Sequence, residues 1–388
     1  MSLSSNILPA LSALVVVAVS YPLWSQPAKN PSLTPPGAPA DQVFRTMDQV
    51  EPRIPVDHVN TPGDATATYV ISKPGSYYLT GNILGESGKD GIDIRSANVS
   101  LDLSGFEIQG VPNSESGIVC SSIGGYTIKN GYVTKWGVDG VVASNTQSEM
   151  VITEVHASRN TQSGFNLTEG VVSHCVASYN GSHGFVTSRT NLTSCTAEHN
   201  SSSGFIVSQG TLTDSLSTRN DSRGFELSQT IATNCYAGWN SHDGFRVEDA
   251  RVSNCKSVGN GLSGFEVIGG SSVFNCTASS NAHGSTVEAG ILVDDTYHPT
   301  VTDSSEIRGN LCFSNGTGIL VSNTGNFVRG NTCYSNYLNP TTLRNFNIVS
   351  GNIVGEIVKL NPASSAITGA GNSGGGTGTT DPFANFAD

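Results

Sequence analysis

Apolar and polar positions alternate in short runs along the middle of the chain, as in "GFRV" at 244–247 and "ARVSNC" at 250–255. Alternation of period two puts successive side chains on opposite sides of an extended backbone, so it predicts short β-strands. The runs also return at a fixed interval. Asn stands at Asn160, Asn180, Asn200, Asn220, Asn240 and Asn260, and a Gly-Phe pair follows four residues after each, at Gly164-Phe165 through Gly264-Phe265. Helical repeats are longer, about 33 residues or more, and carry a 3.6-residue period. A strand repeat of 20 residues predicts instead an all-β parallel β-solenoid, one coil per repeat. The same apolar opening recurs with looser spacing at Gly91-Ile92, Gly117-Ile118, Gly140-Val141, Gly290-Ile291 and Gly318-Ile319, which brings the expectation to 11 coils. At the parallel strand spacing of about 4.8 Å such a column is roughly 50 Å long.

The interior follows by column. The six Phe residues point inward, with Leu167, Thr187, Val207, Leu227, Val247 and Val267 two residues further on. Val172, Leu192, Leu212, Val252 and Val273 line the second strand, and small residues (Ala177, Ala197, Ser217, Ala237, Ser257) follow near the turn. The Asn series is placed at the sharp turn, where Asn tolerates a left-handed backbone and where stacked amides can bond along the axis. Cys175, Cys195, Cys235, Cys255 and Cys276 share one inward column, with Ser215 in the vacant place. Stacked thiols about 4.8 Å apart and pointing the same way do not meet disulfide geometry, which needs Cβ atoms roughly 3.5–4.5 Å apart. They read as small buried hydrophobes, and Cys120, Cys312 and Cys333 as part of the same habit.

Composition narrows the partners. The 388-residue chain is only 13% charged, with a formal charge of −12 and no Lys/Arg cluster, which argues against nucleic acid or an anionic membrane surface. Residues 1–25 contain the apolar stretch "ILPALSALVVVAVSYPLW" and read as a signal peptide, or as a retained anchor since no Lys or Arg precedes it. The address is therefore secreted or cell-surface, with membrane contact only through an uncleaved N-terminal segment. Residues 26–41 form a Pro-rich linker, 42–88 an N-terminal cap over the open strand edges, 89–360 the β-helix, and 361–388 a Gly/Thr-rich tail.

The Gly-Phe/Ile openings, inward columns and Asn series resemble the right-handed parallel β-helix proteins of the pectate-lyase-like superfamily, over roughly residues 80–360. More narrowly, "YVISKPGSYYLTGNI" followed by "VSLDLSGFEIQG" looks like the opening of secreted bacterial β-helix repeat proteins. The resemblance implies right-handed coiling. It also implies that any chemistry sits in a groove along one sheet, with carboxylates binding calcium or acting as acid and base.

Three outward features are candidates. Stacking in register places Arg246 between Glu226 and Glu266, and Arg223 beside Asp243. With Glu248, Asp249 and Arg251 these make the densest charged surface of a charge-poor chain. It suits a saccharide contact or catalysis, and equally a solvated ladder of ion pairs. A second column, Tyr179, His199, Arg219 and Trp239, offers aromatic rings for sugar stacking, Tyr179 and Trp239 foremost. Third, the 20-residue spacing fails between Asn281 and Asn310, in a stretch holding Asp294, Asp295, His298 and Asp303. Its carboxylates could bind Ca²⁺ (Asp294, Asp295, Asp303) or divide acid and base duties, with Asp294, Asp295, His298 and Arg246 as catalytic candidates.

The superfamily's enzymatic motifs are mostly missing. Asp294-Asp295 stands without the Asn-Thr-Asp, Gly-His-Gly and Arg-Ile-Lys of polygalacturonases, and "PRIPVDH" at 52–58 mimics pectate-lyase elements ahead of the helix. The Asp-x-His-Asp of alginate epimerases is absent. The sequence favours an exported β-helix offering a rigid surface for polysaccharide binding or for matrix and cell-surface structure. The alternative is a polysaccharide-active enzyme, lyase before hydrolase, with an acidic site at 288–303.

Overall fold

The computed structural model describes residues 53–122, 124–144, 149–282, 287–294, 304–339, 342–359, 367–369 and 384–387, all within one compact unit. The expectations for residues 1–52, Asp295, His298, Asp303 and most of the tail lie outside the described residues. Among the described residues the regular coils have three strand faces, each stacked in parallel on its equivalent one coil away, and at the C-terminal end Asn385–Ala387 inserts between Thr332–Tyr334 and Ile357–Lys359. In one repeat, Phe205–Ser208 forms the first face, Thr211–Thr213 the second and Leu216–Thr218 the third. They pair with Phe225–Ser228, Ile231–Thr233 and Tyr236–Gly238 of the next coil. The result is an all-β solenoid of about 13 turns with no helix among the described residues.

The count exceeds the 11 read from the sequence because some coils lack the Gly-initiated opening. Ala67–Ile71 pairs with Asp90–Ile94 and Phe346–Ile348 pairs with Ile319–Val321, the former preceded by Thr66 and the latter by Asn345. Part of the segment 42–88, namely residues 67–84, is thus itself a coil.

Between faces the chain bends at single residues in the left-handed region. In the coil above these are Gln209, Asp214 and Arg219, with φ of 55°, 51° and 54°. The third bend corrects the sequence reading. The left-handed residue is the one before each ladder Asn (Tyr179, His199, Arg219, Trp239), and the Asn follows it into the interior. An outward side chain at the bend leaves the next residue directed inward, where an amide is useful and a bulkier polar group is not.

Inside, the Asn residues make a continuous ladder. The backbone N–H and Nδ2 of Asn200 both donate to Oδ1 of Asn220, at 3.0 and 2.9 Å, while Nδ2 also donates to the Ala177 carbonyl at 3.1 Å. The same pattern runs from Asn160 through Asn281 and on to Asn315, Asn336 and Asn345. It therefore crosses the break in sequence spacing without interruption, Asn281 bonding directly to Asn315. Each buried amide is satisfied by its neighbours, which is the condition for tolerating a polar row in a core.

The six Phe rings from Phe165 to Phe265 are fully buried and stack at centroid separations of 4.7–4.9 Å with planes within 12°. All eight cysteines are buried and free. Cys235 and Cys255 donate their backbone N–H to the sulfur of the next coil's cysteine, at 3.2 and 3.4 Å, and Cys276 donates to Asn310 Oδ1 at 2.8 Å. The thiols thus occupy a second ladder that becomes Asn310, Asn331 and Asn385 further along. Cys312 and Cys333 share the buried habit but stack in the small-residue column after Ala278, and Cys120 lies in register with Ile94 on the first face.

Candidate functional site

The charged row and the irregular coil, read as separate candidates, meet in one place. Arg223, Asp243, Arg246 and Glu266 line a pocket of about 440 Å³ together with Leu262, Val287, Glu288, Leu292 and Asp294. Two rows of the solenoid build its floor. Arg223, Asp243 and Ser263 occupy the position before the Gly of successive coils, and Arg246 and Glu266 point outward from the first face. The register predicted from spacing holds, with Glu226, Arg246 and Glu266 as Cα partners. The wall comes from Val287 and Glu288 ahead of the strand Ile291–Val293, from Leu292 within it and from Asp294 after it.

The side chains are tied to one another across coils. Arg223 Nε donates to Asp243 at 3.1 Å, and its terminal nitrogens stand 3.8 Å from Glu226 and 3.6 Å from Glu266. Arg246 pairs with Glu248 at 3.1 Å and stands 3.5 Å from Glu266. No ion pair joins Arg246 to Glu226 among the described residues; Glu226 instead accepts from the Ser203 hydroxyl. The Asp243 carboxylate also accepts the Ser263 N–H at 2.9 Å, and the Ser263 hydroxyl donates to Glu288. Elsewhere in the row before Gly the same device recurs: Asp139 accepts the Ser163 N–H at 2.7 Å, and His183 Nδ1 accepts the Ser203 N–H at 3.2 Å.

Glu266 is the chemically unusual member. Its Oε2 is buried and makes no hydrogen bond, although Arg223 and Arg246 both lie within Coulombic reach. Burial and the neighbouring Asp243 push its carboxyl up to about 7, against the pull of the two guanidinium groups. Asp243 and Glu288 are raised too, first by burial. A carboxyl that holds a proton near neutrality inside a pocket is the kind of group that can act as a general acid or donate to a ligand oxygen.

The sequence reading bounds an acidic site at 288–303 without singling out Glu288, and takes neither His183 nor Asp139 as a site residue. Asp139 and His183 occupy the same row as Arg223 and Asp243, so the row itself was the signal. Glu288 lies where the period has failed, and only the fold brings it to Ser263.

The aromatic column stands differently. His199 stacks on Tyr179 at 4.8 Å and 9°, and Arg159 lies over Tyr179 at 5.6 Å. Trp239 has Arg219 over it at 5.3 Å and the Gly259 backbone against it. Tyr179 and Trp239 are about half exposed, with side chains of adjacent coils over each ring. Sugar stacking there would compete with these existing contacts. The charge-rich neighbours Asp249 and Arg251 also lie outside the pocket: Asp249 is a left-handed bend residue, and Arg251 lies over Phe274 at 4.8 Å. Of the calcium candidates only Asp294 is described. No group of three His, Cys, Asp or Glu able to hold a metal occurs among the described residues.

Residues 116–305 match the family described as a right handed beta helix region. No curated protein matches the chain by sequence. Among solved structures, the Azotobacter vinelandii mannuronan C-5 epimerase AlgE6 A-module is similar at 19% identity and a TM-score of 0.55, over 73% of this chain and 91% of the module. The AlgE4 A-module of the same organism is similar at 18% identity and a TM-score of 0.50, over 76% of this chain and 91% of the module. At such identities the likeness concerns the fold. The chain is a right-handed parallel β-helix protein.

Proposed function

We propose that this protein is an exported polysaccharide-binding β-helix whose ligand seats in the pocket formed by Arg223, Asp243, Arg246, Glu266, Glu288 and Asp294. The observation that carries the reading is the convergence of an otherwise charge-poor chain's carboxylates and arginines on one open pocket of about 440 Å³. Such a volume accommodates one or two sugar rings, and ionised and protonated carboxyls together supply both acceptors and donors for hydroxyl groups. The solenoid underneath, with its ladders of satisfied amides, keeps these side chains in fixed register. Export is supported by the apolar stretch at residues 7–24 and the adjoining Pro-rich linker. Binding by two β-helix epimerase modules that act on a polysaccharide is consistent with the reading, at the level of the fold.

Affinity electrophoresis through gels containing xylan, glucomannan, mixed-linkage glucan or alginate tests it. The wild type should be retarded by at least one of these polymers, and Arg246→Ala should migrate as in a gel without polymer. Equal retardation of both proteins would remove the pocket from the reading.

A further inference from the structure

The pocket contains more than a binding surface requires. Glu266 sits between Arg246 one coil before and Leu292 one coil after, its Cα partners across the parallel ladder. Leu292 belongs to a small apolar cluster with Ala289 and Leu320 outside the main core, so the carboxyl has hydrocarbon on one side. Asp243 nearby is fixed in its role, accepting from Arg223 Nε at 3.1 Å and from the Ser263 N–H at 2.9 Å. Glu288 is engaged by the Ser263 hydroxyl. Asp294 enters from the irregular coil, its backbone N–H bonded to the Val267 carbonyl at 3.2 Å, which seats it two residues beyond Leu292 on the pocket rim.

Resting on the polysaccharide-binding reading, we propose that the pocket hydrolyses a glycosidic bond of a neutral glycan, with Glu266 as the acid and Asp294 as the base. The bond between the anomeric carbon and the glycosidic oxygen breaks, and its electron pair goes to that oxygen, which takes the Glu266 proton. A water oxygen bonds to the anomeric carbon and gives its proton to Asp294. Water is added across the bond, no electrons are exchanged with any other reactant, and solvent restores the two protonation states.

Charge decides for hydrolysis and against elimination from a uronate. Elimination needs a cation to neutralise the sugar carboxylate, and both guanidinium groups here already face carboxylates other than Glu266: Arg223 faces Asp243 and Glu226, and Arg246 faces Glu248. With Glu266 protonated, the lining still sets two arginines against Asp243, Glu288 and Asp294. A polyanion would meet net repulsion, whereas a neutral sugar would meet hydroxyl-binding groups. This reverses the order of lyase before hydrolase taken from the sequence. The raised Glu266 carboxyl keeps its proton at pH values where an ordinary glutamic acid has lost it, which suits the acid role.

The test measures binding and reducing-end release together, on xylan, glucomannan, mixed-linkage glucan and dextran, for wild type, Glu266→Gln and Asp294→Asn. The wild type should release reducing ends, with activity falling as pH rises past about 7. Glu266→Gln should still bind, melt no lower than wild type near pH 6 and lose about 10²-fold or more in rate. Asp294→Asn should lose rate likewise. Binding without any release by the wild type overturns the proposal and leaves the binding reading intact. Formation of an ultraviolet-absorbing unsaturated product overturns it in favour of elimination, and full activity of Glu266→Gln overturns the acid assignment. Failure to bind any of these polymers overturns the proposal, and retention by alginate alone would still leave the binding reading standing.

Discussion

Glu266 and Leu292 are Cα partners on consecutive coils, so a carboxyl that points outward has an apolar side chain directly above it. The pairing makes the stability of the fold depend on pH. The Glu266 carboxyl is raised from 4.5 to about 7 in the folded state, foremost by burial. A raised carboxyl stabilises the folded state at pH below the unfolded value and loses that contribution as pH climbs through the folded one. Between about pH 4.5 and 7 the fold should therefore weaken, by on the order of 3 kcal/mol from this group alone. Asp243 and Glu288 act in the same direction. Thermal unfolding between pH 5 and 8 should show a falling Tm in the wild type and a clearly flatter profile in Glu266→Gln. A wild-type profile as flat as the variant's would show that Glu266 titrates like an exposed residue.

The Asn ladder makes a second prediction. Asn220 Oδ1 accepts from the backbone and side chain of Asn200 at 3.0 and 2.9 Å, and its Nδ2 donates to Asn240 Oδ1 at 3.0 Å and the Ala197 carbonyl at 3.3 Å. Asn220→Ala strips partners from several buried groups at once, each costing about 1–3 kcal/mol. Denaturant unfolding should show a loss near the upper end of single-site effects, and larger than that of the exposed control Ser201→Ala. Comparable midpoints for the two variants would contradict the ladder's role.

Phe225 lies between Phe205 and Phe245 at 4.9 and 4.7 Å, fully buried. The rings above and below are held by their own coils and cannot collapse into the space it leaves. Phe225→Ala should cost about 3–5 kcal/mol, read from equilibrium unfolding. Melting together with the wild type would place the ring outside the core.

These columns were legible in the sequence because a strict repeat converts position into geometry: residues 20 apart are neighbours, whatever the rest of the chain does. Asn220, Phe225 and Cys235 could each be placed from spacing alone. Where spacing fails the method fails with it. Ile291 could be recognised as a coil opening, but its stacking on Phe265 spans 26 residues, so the 20-residue spacing did not show that Glu288 meets Ser263 or that Asp294 lines the same pocket as Arg223. The bend residues were misplaced by one for a different reason. Asn tolerates a left-handed backbone, yet here the amide is required inside, and the preceding Tyr179 or Trp239 takes the bend. The two halves of the pocket were each marked by their charge; their union was not.

The thiols should be protected by the fold alone. Burial pushes Cys195 up to about 11 and Cys120 up to about 12, so little reactive thiolate exists at neutral pH. Alkylation at pH 7.5 should be slow for all eight cysteines in the native protein and fast in denaturant. Mass spectrometry detecting a Cys175–Cys195 bridge in the native protein would contradict the stacking of free thiols.

The central claim is that the ligand is read by the Arg223-to-Asp294 pocket and not by the aromatic column. A glycan microarray probed with wild type, Arg246→Ala and Tyr179→Ala tests it most directly. The account predicts saccharide binding by the wild type, its loss in Arg246→Ala, and an unchanged pattern for Tyr179→Ala, whose ring faces are already covered by Arg159 and His199. Binding that survives Arg246→Ala and disappears with Tyr179→Ala would contradict it.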